Sequence, residues 1–322
     1  MRNVLIICAA VGFFSFTFSE VVRFVYNRDG IHVEYGKENG MLHTKYTSYW
    51  PNGRKKAEGQ MAANMRYGDW NLWDSTGTLV TARNYETGYV WTQLYPITMW
   101  PVTSRTWLVN ENKGYSLFTK IKPDSVTMTA RLWRFVPYAQ FNPIFANDAV
   151  EDTLIACRDR GVFQIGDDDQ MTTLLSLAEF HAKLNKCNTN YHVIGYKVKE
   201  DWWYDSKKQA GIFSIVAICP VYYAKNQRDT IDLGWFAYDE TLRGKLATMY
   251  YVPTYQTGFP IGVEQTFFLR CFESEVYRYS NVKQQTIAQL YQGHPVEAAL
   301  EIQRMEIQPL EWEHDLWLKE FR

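Results

Sequence analysis

The fold is decided by a stretch near the middle of the chain that reads YHVIGYKVKEDWWYDSKKQAGIFSIVAICPV and occupies residues 191–221. Residues 191–204 are rich in aromatic and β-branched side chains, which favour a β-strand. Residues 205–211 are polar, as expected of a hairpin loop. Residues 212–221 are almost wholly apolar, a pattern typical of a strand that is covered on both faces. The stretch therefore predicts a β-hairpin whose second strand lies inside the protein.

The segments around this hairpin predict a mixture of helices and strands. Asn147 is a candidate N-cap for the first helix, which Gly161 would end. Because the strands and helices do not alternate regularly, the region predicts an α+β fold. Helices are predicted over residues 146–160, 171–184, 295–308 and 310–321, and further strands over residues 233–238 and 266–279.

A sequence repeat precedes this region. The segments SYWPNGRKKAEG (residues 48–59) and LWDSTGTLVTAR (residues 72–83) are offset by 24 residues. In each segment an aromatic residue ends a strand, and Gly53 or Gly77 supplies a turn position with positive φ. The repeat predicts all-β stacked hairpins, with residues 66–70 as the link between them.

Residues 31–90 resemble the MORN-variant repeats, whose units carry an aromatic-turn-glycine core, a Glu-Gly pair and a Gly-x-Trp step. Residues 49–59 and 68–70 match this pattern, whereas the second unit has Ala82-Arg83 in place of the Glu-Gly pair. The resemblance implies a core of stacked hairpins, and direct contact of its tryptophans with a protein or glycan is the alternative. The implied repeat core consists of Tyr49, Trp50, Gly53, Gly59, Gly68, Trp70, Trp73 and Gly77.

The amino terminus predicts a secretory signal peptide. Arg2 is followed by an apolar run from Val4 to Phe18, and cleavage is expected after Ser19. The run is shorter than the roughly 20 residues that a transmembrane helix needs, so a membrane anchor is the weaker interpretation. Cys8 lies in the first half of the run, which disfavours a lipoprotein. The mature chain is therefore expected to have no membrane span.

The charge balance and the aromatic content narrow the classes of partner. The chain has 34 Lys and Arg residues and 35 Asp and Glu residues. It has no run of basic residues of the kind that binds along a phosphate backbone, so the sequence argues against nucleic acid as a partner. The aromatic fraction of 16%, with 12 Trp and 22 Tyr, indicates β-rich modules and interfaces in which rings have one buried side.

The cysteines allow two interpretations. Cys157, Cys187, Cys219 and Cys271 lie outside the predicted leader, and none belongs to a CxxC pair. In an oxidising compartment they could form up to two disulfides. Cys219 and Cys271 lie in apolar runs, where a free thiol acts as a small hydrophobic group, so both alternatives stay open.

The sequence predicts no catalytic residues, no cofactor and no metal site. Cys219 with His181 or His192 would be a thiol–imidazole pair, but an apolar strand is the wrong environment for an activated thiol. Residues 167–169 form an acidic run without the spacing of a calcium loop, so a solvated turn is expected. His314 is expected as a surface or cap-like residue of the last helix.

Six segments between residues 126 and 321 occur in a recognisable order. They are Leu132-Trp133-Arg134, Gly166-Asp167-Asp168-Asp169, Tyr196–Tyr204, Ile212–Pro220, Gly234–Tyr238 and Trp312–Trp317. In order and spacing they resemble the GldN, or PorN, family of type IX secretion and gliding motility ring proteins. The MORN-like repeats that precede them are a departure from the family pattern.

The two resemblances divide the chain into a signal peptide (1–19), a MORN-variant repeat domain (20–90), a junction (91–125) and a mixed α+β GldN-like domain (126–322). The second resemblance implies a non-enzymatic periplasmic scaffold that joins a ring-forming outer-membrane lipoprotein of the GldK or PorK type. It also implies many copies in a ring, with the inner-membrane motor proteins of the same system as further neighbours. The alternative is an exported cell-surface binding module whose aromatic rows hold a glycan or protein.

Aromatic residues are the expected anchors of a partner interface, since few residues carry most of the binding energy. The adjacent pair Trp202 and Trp203 is the first candidate. Neighbours in a strand point to opposite faces, so one ring is expected in the core and the other outside. The last helix is the second candidate, through Trp312, Leu316 and Trp317. The alternative is that the chain itself covers these side chains.

Overall fold

A computed structural model describes residues 21–84, 126–139, 144–145, 149–188, 193–206, 210–226, 228–251 and 261–320. Within these residues the protein has an amino-terminal antiparallel sheet, followed by a mixed region with a second, central sheet and six helices. The predicted α+β class, with an all-β part first, is confirmed. The predicted signal peptide and junction lie outside the described residues.

The amino-terminal sheet is an antiparallel meander in which each strand pairs with the next along the chain. Short turns connect its strands, and this is the arrangement that consecutive hairpins produce. The strands are β1 (Val22–Arg28), β2 (Ile31–Glu38), β3 (Met41–Tyr49), β4 (Lys55–Ala62), β5 (Met65–Trp73) and β6 (Leu79–Asn84).

Three turns at one end of this sheet repeat with nearly the predicted period. Gly30, Gly53 and Gly77 have φ values of +76°, +80° and +90°, which glycine adopts without steric penalty. They close the hairpins β1–β2, β3–β4 and β5–β6, so the two predicted hairpins are confirmed and a third precedes them. The prediction that residues 66–70 link two units is wrong, because these residues lie within β5 and pair with β4 and β6.

The central sheet is built around the predicted hairpin, whose two strands are confirmed as β9 and β10 below. Its strands are β7 (Val126–Pro137), β8 (Ile165–Gly166), β9 (Gly195–Asp205), β10 (Ala210–Tyr223), β11 (Thr230–Asp232), β12 (Trp235–Ala237) and β15 (Glu275–Tyr279). They pair in the order β15-β7-β9-β10-β12-β8, with β11 beside β10. A separate two-stranded sheet contains β13 (Tyr250–Tyr251) and β14 (Ile261–Gly262).

The described residues contain the helices α1 (Ala149–Asp159), α2 (Leu177–Leu184), α3 (Glu240–Leu246), α4 (Val263–Leu269), α5 (Ile287–Leu290) and α6 (Pro295–Glu320). Helix α1 agrees with its prediction, although the proposed cap Asn147 lies outside the described residues. The helix predicted over 171–184 begins only at Leu177. Ser176 caps it, since the Glu179 N–H donates to Ser176 Oγ at 3.2 Å and the Ser176 N–H donates to Glu179 Oε2 at 2.8 Å.

Two further predictions in the last third of the chain are wrong. Residues 266–279 do not form one strand, because the apolar run that starts this segment belongs to α4 and only β15 is extended. A short apolar run does not by itself distinguish a buried helix from a buried strand. The break predicted between two terminal helices is also absent, since α6 continues through Pro309. Proline lacks the N–H that would donate a hydrogen bond within the helix, and the packing of α6 against both sheets offsets the loss of this hydrogen bond.

Strand β10 is buried on both faces, as its apolar sequence predicts. On one face Ile218 packs with Phe236 in the largest apolar cluster, to which helices α1 to α4 contribute. On the other face Cys219 packs with Trp133 and Trp235. The central sheet thus has apolar contacts on two sides.

Candidate interaction surfaces

One face of the amino-terminal sheet carries a row of aromatic rings. The Phe24 and Tyr35 rings stack with centroids 5.4 Å apart. The Tyr46 ring lies 6.5 Å from Tyr35 and 5.6 Å from Trp70. Tyr46 and Trp70 are fully buried. This aromatic row crosses β1, β2, β3 and β5 and forms a continuous aromatic core.

Gly59 lies directly beneath the Trp70 ring. A Cβ atom at Gly59 would come within 2.2–2.4 Å of the indole atoms, so only glycine fits. The Trp70 Nε1–H donates to the carbonyl oxygen of Gln60 at 3.0 Å, which holds the ring in this position. Gly68, another residue of the predicted repeat core, is buried in β5 with a φ of +61°.

The remaining aromatic residues of the predicted repeat core lie at the turn end of the sheet and are half-buried. The Trp50 Nε1–H donates to the carbonyl oxygen of Trp73 at 2.9 Å and thereby ties one hairpin to the next. The Tyr49 ring lies 4.6 Å from that of His32, and the Lys55 ammonium lies 6.0 Å from the Trp73 centroid. These rings therefore connect the hairpins and leave part of their surface in solvent.

Helix α6 packs on the aromatic row, so the amino-terminal sheet and the family-like region share one core. Ile307, Trp317 and Leu318 of α6 belong to the same apolar cluster as Tyr46 and Trp70. Trp317 is fully buried. The two units that the sequence separates at the junction are therefore joined by the last helix.

Buried ion pairs accompany this contact. Lys56 Nζ lies 2.9 Å from Glu311 Oε2 and 2.8 Å from Asp315 Oδ1. The Tyr46 hydroxyl donates to the other Glu311 oxygen at 2.9 Å. Lys56 and Glu311 are both buried, and removal of either partner would leave a desolvated charge unpaired. The sequence offers little indication of the Lys56–Glu311 ion pair, because the two residues are far apart along the chain.

A second ion pair lies beside the first. Arg66 Nη2 is 2.6 Å from Glu313 Oε2, and the Gly211 N–H donates to Glu313 Oε1 at 2.9 Å. The Arg66 guanidinium also lies 5.2 Å from the Trp70 ring centroid and 4.9 Å from that of Trp317. Glu313 thus connects the amino-terminal sheet, α6 and the start of strand β10 in the central hairpin.

His314 is fully buried in this contact, so the prediction that it is a surface residue is wrong. Its ring lies 5.4 Å from Trp70 and 5.7 Å from Trp317, and its Nδ1 is 3.1 Å from Glu311. Burial lowers the pKa of His314. Burial alone would raise the pKa of Glu311, but Lys56 and His314 hold it well below its usual range.

Strand β9 directs Trp202 and Trp203 to opposite faces, as expected for neighbours in a strand. Trp202 is 1% exposed, and its ring lies 5.7 Å from that of Trp312. Trp203 is half-buried on the other face. A partner would reach Trp202 only by displacing α6, whereas Trp203 keeps part of its surface exposed.

The candidate residues of α6 are engaged within the chain. Trp312 and Leu316 are partly buried against the cluster that contains Trp202, and Trp317 is fully buried in it. Trp202 and Trp317 are therefore covered by the chain itself, which is the alternative to contact with a partner.

Among the described residues, Cys219 and His181 do not form a reactive pair. Cys219 is fully buried, and burial raises the pKa of its thiol. His181 instead lies 3.0 Å from Asp159, and His192 is outside the described residues. The cysteines at positions 157, 187, 219 and 271 are free thiols. In the part of the chain that the structure describes, no three His, Cys, Asp or Glu side chains are placed to hold a metal.

The acidic run at residues 167–169 is a structured turn. Asp168 accepts from the Thr172 hydroxyl at 2.6 Å and from the Thr173 N–H at 2.8 Å. The hydrogen bond from Thr172 is the largest contribution that holds the pKa of Asp168 below its usual range. Asp169 forms an ion pair with Arg278 on β15. Asp168 therefore stabilises the turn itself, and Asp169 fastens the turn to the central sheet.

The described residues thus define an α+β protein of two joined sheets in which charged and aromatic side chains serve packing and ion pairing. The family model described as "Gliding motility associated protein GldN" matches residues 121–318, and the chain belongs to this family. It is a structural component family of the gliding motility and type IX secretion machinery. A comparison with curated proteins found no match. None of the helices in the described ranges has both the length and the apolarity of a membrane span.

Proposed function

We propose that the protein is a non-enzymatic periplasmic scaffold of the type IX secretion and gliding machinery. In this proposal it joins a ring-forming outer-membrane lipoprotein of the GldK or PorK type and is present in many copies. The inner-membrane motor proteins of the same system are its further neighbours. The observation that supports the proposal is the family match, which covers residues 121–318.

The pairing of buried carboxylates with arginine side chains favours a structural role. Glu200 is fully buried between Arg134 and Arg270, with Arg270 Nε 3.1 Å from its carboxylate. Arg243 Nε lies 3.0 Å from the buried Glu264. Networks of this kind fix the relative positions of elements, and a scaffold depends on such rigidity.

Trp203 is half-buried and is the candidate for contact with the lipoprotein. Trp203→Ala is expected to reduce co-purification of the lipoprotein from solubilised envelopes several-fold, with a smaller decrease in the Tm of the purified chain than Trp202→Ala causes. Trp202→Ala is the matched control, because it removes the same side chain from the buried face and should lower the Tm.

Two outcomes would count against this scheme in different ways. Full recovery of the lipoprotein with Trp203→Ala would eliminate this surface and leave the scaffold role in place. If the wild-type chain recovers no lipoprotein under conditions that preserve the envelope complex, the scaffold role itself is wrong.

An exported binding module for a glycan or protein is the second candidate function. The half-buried rings of Tyr49 and Trp73 at the turn end of the sheet favour it, because flat rings with one exposed side suit stacking on a ligand. Titration of the purified chain with soluble envelope polysaccharide should then change tryptophan fluorescence. The same titration of Trp73→Ala should give a smaller change.

A further inference from the structure

The two outer strands of the amino-terminal sheet each lack a neighbour on one side. Within the described part of the chain, β1 pairs only with β2, and β6 pairs only with β5. An edge strand presents unpaired backbone donors and acceptors to any strand that fits beside it. Val22 and Val25 of β1 are 52% and 62% exposed, and Leu79 of β6 is 52% exposed. Both edges therefore carry solvent-exposed apolar side chains in the described structure.

The β1 edge lacks most of the features with which proteins usually block such pairing. The sequences of β1, VRFVYNR, and β6, LVTARN, contain no proline and no lysine, although both contain arginine. The pairing of β6 with β5 has one register shift, between Leu72 and Trp73. The pairing of β1 with β2 runs without a bulge from Val22 to Arg28. The first edge is thus a straight strand of seven residues with exposed valines.

The internal register of the sheet shows which strand would fit. One row of paired residues crosses the six strands, namely Val25, Glu34, Thr47, Glu58, Asn71 and Ala82. The sheet consists of three hairpins, and each hairpin meets the next by placing an odd-numbered strand beside an even-numbered one. A second β1 strand placed beside β6 would repeat this step.

We propose that β1 of one copy pairs with β6 of the next, so that the amino-terminal sheets of neighbouring copies form one continuous sheet. Because the sheet has an even number of antiparallel strands, copies that face the same way bring β1 and β6 together in antiparallel orientation. In the register of the row, Ala82 of one copy faces Val25 of the next. Thr81 then faces Tyr26 in the adjacent row.

This joint is head-to-tail, since each copy uses a different surface on its two sides. Repetition of a head-to-tail contact produces a ring when the rotation between copies closes. The inference rests on the proposed function of the chain as a ring component, and it specifies how the copies meet. It does not use the surface around Trp203, so the two ideas can fail separately.

Disulfide trapping in intact envelopes tests the joint. A full-length chain carrying both Val25→Cys and Ala82→Cys is expected to form a ladder of covalent multimers on oxidation with copper phenanthroline. Within one chain these residues lie five strand spacings apart, about 24 Å, whereas a disulfide joins Cα atoms no more than about 7 Å apart. Every such cross-link therefore joins two chains.

The control chain carries Ala82→Cys with Val296→Cys, because Val296 is 67% exposed and thus as accessible as Val25. This chain should give no ladder, and neither should the wild type with its native cysteines. Equal ladders from both double variants, or no ladder from a folded Val25→Cys/Ala82→Cys chain, would overturn the proposal. A cross-link from Val25→Cys to a different envelope protein would show that another strand occupies the edge.

A charge on the edge provides a second measurement that needs no cross-link. Val25→Lys should lower the mean mass of the solubilised assembly several-fold in mass photometry, because a lysine at the edge opposes strand addition. Val282→Lys is the matched control at a position that is 103% exposed, and it should leave the mass unchanged. If both variants assemble like the wild type, β1 is not the joint.

Discussion

At the scale of one residue, Gly59 has no side chain, and this leaves the space that the Trp70 ring fills in the amino-terminal sheet. A Cβ atom there would overlap the Trp70 ring, so Gly59→Ala should lower the free energy of unfolding by about 1–3 kcal/mol. Gly244→Ala in α3 is the control, because no atom lies within 4 Å of its added Cβ and alanine favours a helix by up to about 1 kcal/mol. Urea unfolding measures both. Equal stabilities would mean that Trp70 moves aside freely.

The buried His314 predicts a dependence of stability on pH. Because burial lowers the pKa of His314 in the folded chain, the unfolded chain binds a proton below about pH 6.5 that the folded chain does not. The free energy of unfolding should therefore fall as the pH decreases from about 6.5, and be retained above it. His314→Gln should reduce this slope between about pH 7 and pH 5 in urea unfolding. Parallel curves for the two chains would argue against this assignment.

Helix α2 gives a test at the scale of an element. Its start depends on the reciprocal hydrogen bonds of Ser176 and Glu179. Ser176→Ala should therefore lower the free energy of unfolding by about 1 kcal/mol, whereas Ser176→Asp, which can still accept from the Glu179 N–H, should retain most of it. Thermal unfolding of both chains is the measurement. A loss of the same size in both would point to a role of the serine other than capping.

The shared core gives a test at the scale of the whole molecule. The aromatic row of the amino-terminal sheet is covered by α6, and Lys56 finds its buried carboxylate there. Residues 20–90 expressed alone should therefore lack the cooperative unfolding transition of a chain that also contains residues 91–322, and should bind a dye for exposed apolar surface. A stable, monomeric fragment with a sharp unfolding transition would show that the amino-terminal sheet folds without the packing of α6 on its aromatic row.

Short-range signals were sufficient for several parts of this protein. The central hairpin followed from an apolar run next to a polar loop, and the stacked hairpins followed from aromatic residues placed before Gly53 and Gly77. In both cases residues close in sequence carry the information, because turn geometry and alternation act over a few positions. The family resemblance over the carboxy-terminal region likewise needed only the order of local segments.

The sequence by itself thus determined the α+β class, the central hairpin, the repeat and the family. Only the tertiary structure decided that α4 is a helix, that α6 runs through Pro309 and that His314 lies in the core. It also decided that Trp202 and Trp317 are fully covered by the chain, while Trp203 is half-buried. The physical reason is that periodicity identifies an apolar face but not its partner, and contacts such as Lys56 with Glu311 join residues far apart in the chain.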